Sequence, residues 1–340
     1  MKITLFEGDG IGPEITESAK RVLDSLDVDI EYEPFLIGER AYKEFGELIP
    51  SMAYESIKRN KIALKAPVTT PIGKGFRSVN VELRLKFNLY ANIRPSITLP
   101  NTNSRYDNIN IVIVRENTED LYAGIEKDTE DGAESIKRIT YKASERIIRY
   151  AFDYAVKNNR KRVTCVHKAN IMKKSDGLFL NIFNEIKNEY KDIEADSKII
   201  DNMCMQLVMY PEKYDVIVAP NLYGDILSDL VAGLTGGLGI APGANIGDDC
   251  AIFEAVHGSA PDIAGKGIAN PIALLQTSAM MLDYMHLDDK ANLLRKAIYM
   301  TLSKGKNLTR DLGGVATTKE ITDDIINNIK ILQNNWLYSI

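Results

Sequence analysis

The chain has 340 residues, of which 45% are hydrophobic and 26% are charged, a composition typical of globular proteins and unlike disordered or collagen-like chains. Its 42 basic and 47 acidic residues give a net charge of −5, which argues against a general nucleic-acid binder with a concentrated basic surface. The length suits about two domains.

Short apolar runs alternate along the chain with helix-like patterns. Residues 2–6 predict a strand, and Pro13 opens a helix to about Leu26, because proline is favoured in a first helical turn. Further strands, rich in valine and isoleucine, are predicted at 62–67, 109–114, 162–167 and 215–220. This alternation of strands with helices predicts an α/β fold.

Three segments complete the coarse pattern. Residues 144–158 repeat apolar side chains on one helical face, and helices dominate after Pro271. The last helix begins at Thr317, with Glu320 at the spacing of a capping box. The segment 122–141 breaks the alternation with polar residues and two short alternating runs, which predict a protruding hairpin.

The cysteines and the apolar segments of the sequence indicate where in the cell the protein is expected. The three cysteines are few and far apart, so neither a disulfide framework nor a CxxC metal site is expected. The N-terminal sequence reaches acidic and glycine residues too early for a signal peptide. The uncharged stretch 230–247 contains six glycines and Pro242, which suits a helix end and a loop better than a membrane span. We therefore expect a cytoplasmic protein without membrane association.

Three glycines lie between the first strand and the first helix. Gly8, Gly10 and Gly12 have the spacing GxGxG rather than the GxGxxG of a dinucleotide-binding turn, and a proline follows them directly. Two interpretations stay open here: a tight turn in which only glycine tolerates the backbone angles, or a contact to a cofactor.

Arginines and small polar residues cluster in the segment 69–95 and just after it. Ser78, Asn80 and Arg84 have near-even spacing, and Arg94 and Arg115 lie close to expected strands. Because a guanidinium group matches a carboxylate with two parallel hydrogen bonds, three such arginines suit a substrate with several carboxylates. The alternative is that they are surface arginines paired with nearby glutamates.

Six motifs now occur in one order: GDGIGPE, TTPIG…RSxN…LR…RP, RENTEDLYAG at 115–124, HKANIMK at 167–173, NLYGDILSD at 221–229 and EAVHGSAPDIAGKGIANP at 254–271. Together they closely resemble the β-decarboxylating dehydrogenases, which include the isocitrate, homoisocitrate and 3-isopropylmalate enzymes. The chain looks most like the short NAD-dependent isocitrate dehydrogenases.

The resemblance implies an α/β fold that is not a Rossmann fold. A large cofactor-binding domain would comprise residues 1–95 and 237–340, and a small dimerisation domain residues 96–236. The hairpin at about 122–141 would be a clasp that interlocks two subunits of a homodimer.

Two aspartates suggest a metal site. Asp225 and Asp229 are four residues apart at the start of an expected helix, so both carboxylates lie on one face. Hard oxygen ligands of this kind suit Mg²⁺ or Mn²⁺, whereas the alternative is a solvated face with an aspartate that favours the helix dipole. The resemblance favours the metal and implies a third ligand, Asp201, from the other subunit.

The resemblance also implies the acid–base pair. Lys168, from the neighbouring subunit, would assist loss of the substrate hydroxyl proton, since a lysine beside a cation and arginines gives up its own proton more easily. Hydride transfer to the nicotinamide and loss of CO₂ would follow, and Tyr122 would protonate the product carbon. Asn170 would contact the nicotinamide or the substrate.

The loop after residue 256 resembles the family's adenine-binding loop, with Asp262 and Ile263 where NAD-dependent members carry Asp-Ile. A carboxylate accepts hydrogen bonds from the ribose hydroxyls and repels the 2′-phosphate of NADP. The remaining cofactor residues that the resemblance implies are His257, Gly258, Asn270 and Asp311 on the adenine side and Thr70 and Ile72 on the nicotinamide side.

Two alternatives to an isocitrate dehydrogenase stay open. Isopropylmalate enzymes need an apolar pocket in the segment 78–84, where Ser78 and Asn80 are polar, and homoisocitrate differs from isocitrate by only one methylene. A regulatory subunit of a hetero-oligomer would have lost catalytic positions, all of which are present here.

Overall fold

The computed structural model describes residues 1–69 and 78–337. Within these ranges the strands are β1 (Lys2–Phe6), β2 (Glu31–Phe35), β3 (Ile62–Lys65), β4 (Ala91–Ile97), β5 (Asn110–Glu116), β6 (Glu126–Asp128), β7 (Ala133–Ser135), β8 (Arg162–His167), β9 (Glu194–Ile199), β10 (Val216–Ala219), β11 (Pro242–Ile246) and β12 (Ala251–Ala255). The helices are α1 (Gly12–Asp24), α2 (Glu39–Phe45), α3 (Ser51–Asn60), α4 (Val79–Lys86), α5 (Tyr141–Lys157), α6 (Ser175–Ile186), α7 (Ile200–Met209), α8 (Asn221–Thr235), α9 (Ile272–Tyr284), α10 (Asp288–Lys304) and α11 (Thr318–Leu337).

Ten strands form one mixed sheet in the order β2-β1-β3-β12-β11-β4-β5-β10-β8-β9. The central pairs β12–β11, β11–β4 and β4–β5 are antiparallel, and the pairs on both sides of them are parallel. This order differs from the doubly wound Rossmann sheet, as predicted. The division into domains at 1–95, 96–236 and 237–340 stays a prediction, although strands from the middle segment do lie together at one end of the sheet.

The hydrophobic core differs between the two faces of the sheet. On one face a continuous core runs under α1, α5, α6, α9, α10 and α11. On the opposite face the core is divided: one part packs under α3 and α4, and the other packs under α7 and α8. Because side chains alternate along a strand, the residues between these two parts belong to the second face. They are polar side chains, of which Lys65, Asn92, Arg115, Asn245 and Glu254 are buried and Arg94 is half-buried.

Several predicted elements are confirmed. β1 and β8 have the predicted bounds, α1 and α5 lie where the helix patterns indicated, and the capping box forms, with the Thr317 hydroxyl and the Glu320 carboxylate each accepting from the other residue's backbone N–H. The protruding hairpin is also present, because β6 and β7 pair antiparallel and are exposed throughout.

One prediction is correct only in part: in the stretch 230–247 a helix does end, because α8 ends at Thr235, but β11 follows where a loop was expected. Its composition is poor for a strand, but both of its edges are paired and all five of its residues are buried. A Cβ on Gly243 would lie 3.0 Å from the Glu254 carbonyl oxygen, so glycine permits the close backbone approach. Tertiary pairing here outweighs intrinsic strand propensity. None of the helices in the described ranges has the length and apolar character needed to cross a membrane.

Candidate active site

The glycine turn after β1 joins three segments. Gly8 and Gly10 have φ of 68° and 58°, and a Cβ on Gly10 would lie 1.9 Å from the Ser259 carbonyl oxygen. Between them Asp9, almost fully buried, accepts backbone hydrogen bonds from residues 39, 40 and 69 at 2.7–2.9 Å. The close backbone contacts account for the glycines as a tight turn.

Arg84, Arg94 and Arg115 lie together among the polar side chains between the two parts of the divided core. Arg115, only 1% exposed, donates from Nε and Nη2 to the Asn221 side chain at 2.9 and 2.7 Å and from Nη1 to Asp225. Burial and the positive charges of Arg84 and Arg94 lower the pKa of Arg115 to about 10. Such a concentration of buried cations favours a ligand with negative charge.

Buried polar atoms without partners mark where such a ligand fits. Among the described residues, Asn80 Oδ1, the Nε atoms of Arg84 and Arg94, and His257 Nε2 are buried and form no hydrogen bond. The same four side chains line a cavity of about 130 Å³. Because buried polar groups are nearly always paired in native proteins, these atoms indicate a polar ligand that the protein binds there.

A buried network of ion pairs and hydrogen bonds centred on Glu254 holds Arg84 in place. Glu254 forms ion pairs with Lys65 Nζ at 2.7 Å and with Arg84 Nη2 at 3.4 Å, and it accepts from the Asn245 side chain at 2.7 Å. Burial opposes ionisation of Glu254, but the charges of Lys65 and Arg84 outweigh it and lower its pKa to about 2. This carboxylate is therefore ionised at neutral pH and holds both cations at the cavity wall.

Helix α8 presents Asp225 and Asp229 on one face, as predicted. Arg94 Nη1 lies 3.4 Å from a carboxylate oxygen of each and donates to Ser228 Oγ at 2.6 Å. Asp225 also accepts from Arg115 and from the Tyr122 hydroxyl. Although burial favours its neutral form, Arg115, Tyr122 and Arg94 together lower the pKa of Asp225. The carboxylate is thus held as an anion beside the cavity.

Tyr122 lies in a short 3₁₀ turn, with its ring 4.8 Å from the Arg115 guanidinium carbon. Burial, and the hydrogen bond to Asp225, raise the pKa of Tyr122. The phenol is therefore protonated at neutral pH and has a proton to donate.

Sequence reasoning missed Gly224. A Cβ at this position would lie 2.6 Å from both Cβ and Cγ of Arg115, so only glycine lets α8 approach β5 this closely. The available signal was a glycine inside a predicted helix, where it costs about 1 kcal/mol relative to alanine and therefore calls for a packing reason.

Lys168 and Asp201 lie apart from this group. Lys168 follows β8, Asp201 lies in the first turn of α7, and their side chains form an ion pair that lowers the pKa of Asp201. Within residues 1–69 and 78–337, no hydrogen bond or ion pair links either of them to Asp225 or Tyr122. Asn170 is exposed nearby.

The metal prediction can be tested against the donor set. Asp225 and Asp229 supply the hard carboxylate oxygens that Mg²⁺ and Mn²⁺ prefer, so their chemistry fits. Across the described parts of one chain, however, no three His, Cys, Asp or Glu side chains are grouped to hold a metal ion. A single chain therefore provides two of the three predicted ligands, and Asp201 is not brought to them.

The predicted cofactor residues fall into two groups. Asn270 Nδ2 donates to Asp311 Oδ2 at 2.8 Å, and His257, whose pKa burial lowers, lies beside Gly258, 3.0 Å from its carbonyl oxygen. Of the other predicted positions, Asp262 is exposed, Ile263 is half-buried, and Ser78 is exposed at the start of α4. Thr70 and Ile72 lie outside the described residues.

Comparisons with known proteins agree with this geometry. A sequence model of the isocitrate/isopropylmalate dehydrogenase family matches residues 2–325. The chain is 52% identical over 330 residues to a regulatory chain of the mitochondrial NAD isocitrate dehydrogenase of Dictyostelium discoideum, covering 96% of this chain and 92% of that protein. It is 50% identical over 328 residues to catalytic subunit 5 of the mitochondrial NAD isocitrate dehydrogenase of Arabidopsis thaliana, covering 96% and 88%.

A solved structure is similarly close. The isocitrate dehydrogenase from Methylococcus capsulatus superposes with a TM-score of 0.93 at 50% identity, covering 96% of this chain and 99% of that one. The expected cytoplasmic location is wrong on these comparisons, because both curated relatives are mitochondrial proteins.

Proposed function

Because the chain belongs to the isocitrate/isopropylmalate dehydrogenase family, we propose that it catalyses the NAD-dependent oxidative decarboxylation of isocitrate to 2-oxoglutarate and CO₂. The observation that carries this proposal is the group formed by the buried Arg84 and Arg115 and the half-buried Arg94, beside Asp225 and Tyr122. The arginines supply positive charge that can bind a tricarboxylate. The same place holds the carboxylates of Asp225 and Asp229, which can bind a cation, and the protonated phenol of Tyr122, which can donate a proton.

Each residue has a role in this reaction. Arg84, Arg94 and Arg115 bind and orient the substrate carboxylates through paired hydrogen bonds. The partner subunit's Lys168 accepts the proton of the substrate hydroxyl, and Tyr122 delivers a proton to the carbon from which CO₂ has left. Asp225, Asp229 and the partner subunit's Asp201 would hold a divalent cation, which would supply Lewis-acid stabilisation of developing negative charge, and bound NAD would supply the hydride acceptor.

The wall of the cavity favours isocitrate over isopropylmalate. Arg84 presents a buried, unpartnered Nε–H donor to the cavity, where isopropylmalate would place an apolar branch. Burying an unpaired polar group against an isopropyl group is unfavourable, whereas a third carboxylate can pair with the arginine. Homoisocitrate is one methylene longer, a difference worth only about 1–3 kcal/mol, so some activity on it is expected.

A homodimer with shared sites supplies the missing groups. One chain holds Tyr122 and two carboxylate ligands in one place, and Lys168 with Asp201 in another. A second copy that brings its Lys168–Asp201 pair to the first chain's arginines completes both the acid–base pair and the ligand set. The exposed β6–β7 hairpin is suited to interlock the two copies as a clasp.

The activity is tested on the purified chain alone. NADH formation is followed with isocitrate, homoisocitrate and isopropylmalate, each with NAD and NADP, in the presence of Mn²⁺. We expect the highest kcat/KM for isocitrate with NAD. Absence of activity from the chain alone, with recovery on adding a related subunit, would favour a regulatory role, and the highest rate on isopropylmalate would refute the substrate assignment.

The shared site is tested by mixing two inactive variants. Lys168→Met and Tyr122→Phe chains, each carrying a different affinity tag, are co-expressed and the hybrid dimers purified on both tags. One of the two sites in each hybrid then contains both intact residues, so activity of about half the wild-type value should return. Hybrids that form but stay inactive would contradict shared sites.

A further inference from the structure

Asp120, two residues before Tyr122, has an unusual backbone conformation. Its φ of 71° and ψ of −150° lie in a region that L residues rarely adopt, and its side chain is fully buried. Its carboxylate accepts backbone hydrogen bonds from Leu121 and Leu222, both at 2.9 Å. Because Leu222 lies in the first turn of α8, the carboxylate fastens the Tyr122 turn to the helix that carries Asp225. Strained residues of this kind persist only where the surrounding structure holds them, and they cluster at active sites.

A second buried carboxylate holds the backbone of Lys168. Asp176, at the start of α6, is 0% exposed, and its Oδ2 accepts from the Lys168 backbone N–H at 2.6 Å. This hydrogen bond fixes the chain where it leaves β8, and so sets the point from which the Lys168 side chain extends.

Lys137 joins the two carboxylates. Its Nζ lies 2.7 Å from Asp176 Oδ1, 3.9 Å from Asp120 Oδ1 and 4.1 Å from the ring centroid of Tyr223. The residue after Lys137 also contacts Asp120 directly, because the Asp120 backbone N–H donates to the Arg138 carbonyl oxygen at 2.9 Å. One ammonium group thus offsets two buried anions, which would otherwise be strongly unfavourable. We call Lys137, Asp120 and Asp176 the Lys137 bridge.

We propose that the Lys137 bridge positions both acid–base residues of the chain, Asp120 through the Tyr122 turn and Asp176 through the Lys168 backbone. The inference rests on the proposed function, in which the Tyr122 and Lys168 of one chain serve two different active sites. A single bridge in each chain then supports both sites of the dimer. All three members are positioning residues that act through the main chain.

Hybrid dimers distinguish this role from general stabilisation. In the homodimer, Lys137→Met should lower kcat at least about tenfold while KM for isocitrate changes less than about threefold, because misplaced reacting groups affect turnover more than binding. A hybrid of one Lys137→Met chain and one wild-type chain has one misplaced acid–base residue in each of its two sites, so its kcat should fall well below half of the wild-type value. A Tyr122→Phe hybrid with wild type, by contrast, should retain about half of the activity.

The two carboxylates provide the complementary experiment. Asp120→Asn and Asp176→Asn keep side-chain size and a hydrogen-bond acceptor, and each should impair its homodimer. A hybrid of the two variants has both defects in one site and leaves the other intact, so about half of the activity should return. Lys137→Arg should restore most of the activity lost in Lys137→Met. As a control, Lys58→Met removes an exposed ion pair with Glu55 on α3, outside the hairpin, and should leave kcat and the dimer unchanged.

The outcomes separate the hypotheses. A Lys137→Met homodimer with wild-type kcat, or a Lys137→Met hybrid with half of the wild-type activity, would overturn the bridge. If the Lys137→Met chain does not fold, the hybrid of Asp120→Asn and Asp176→Asn chains is the test of the proposal. A hybrid that forms but recovers no activity would overturn it. Failure of the Tyr122→Phe/Lys168→Met hybrid instead refutes shared sites, and with them the proposed arrangement of the active site.

Discussion

Replacing Gly224 with alanine tests how closely α8 must approach the sheet. The new methyl group would meet Arg115 Cβ and Cγ at 2.6 Å, closer than real Cβ contacts, so either the helix or the Arg115 side chain must shift. Alanine gains about 1 kcal/mol of helix propensity over glycine, whereas overpacking costs about 1–3 kcal/mol. We therefore expect a net loss of stability of about 0–2 kcal/mol, the difference between these two effects.

The effect on catalysis should be much larger than the effect on stability. The shift separates Arg115 from Asp225, whose hydrogen bond orients both the substrate site and Tyr122. A displacement of about 1 Å costs about a hundredfold in rate, so kcat/KM for isocitrate should fall by about that factor.

A glycine on the same helix provides the control. In the described structure a Cβ on Gly233 would meet nothing within 4 Å. Gly233→Ala should therefore stabilise the protein by about 1 kcal/mol and leave kcat/KM unchanged. Steady-state kinetics with thermal unfolding measure both quantities. A Gly224→Ala variant as active and as stabilised as Gly233→Ala would refute the close approach.

Three further outcomes are expected. Asp225→Asn should weaken Mn²⁺ binding in calorimetry and abolish turnover with the fold intact, and unchanged activity at limiting Mn²⁺ would disprove its role. NAD should be preferred over NADP by at least about tenfold, or about 1.4 kcal/mol, and Asp262→Lys with Ile263→Tyr should shrink or reverse that ratio, whereas an unmoved ratio would count against the assignment. Because the pKa of Glu254 is lowered to about 2 from 4.5, its stabilisation is complete above pH 4.5 and lost as pH falls toward 2. Glu254→Gln, which leaves Lys65 unpaired, should cost about 3–5 kcal/mol at pH 7 and flatten this pH dependence of urea unfolding, whereas an unchanged pH profile would argue against the ion pair.

The sequence predicts best those strands and helices whose pattern of apolar residues lies within the element itself. β8 is a run of buried residues that includes Val163 and Val166, and it follows a helix with a clear apolar face, so its predicted bounds were correct. β11 is the opposite case, since it contains proline, glycine and asparagine and is a strand only because β4 and β12 pair with its two edges. The pairing with β4 depends on residues about 150 positions earlier in the chain, which leave no local pattern in β11 itself.

The candidate site divides in the same way. Motif resemblance indicated Tyr122 and Asp225, and the structure brings them into contact. Gly224 and Asp120 were missed because their importance lies in backbone geometry. Gly224 permits the close approach of α8 to β5, and Asp120 adopts a positive φ that cannot be predicted from an aspartate in the sequence. Lys137 was missed because a single lysine in a polar hairpin carries no sign of burial.

The order of the strands has a consequence for the protein as it is being made. β3 and β4 follow each other in the chain, yet β12 and β11 lie between them in the sheet. On the ribosome, β1–β3 and the group β4, β5, β8, β9 and β10 therefore emerge as two unjoined parts of the large sheet, with Lys65 on one and Arg94 on the other. The later segment 242–255 joins these two groups of strands, because β12 pairs with β3 and β11 pairs with β4. Its addition also brings Glu254 beside Lys65. Until roughly three quarters of the chain has been synthesised, no substrate cavity can exist.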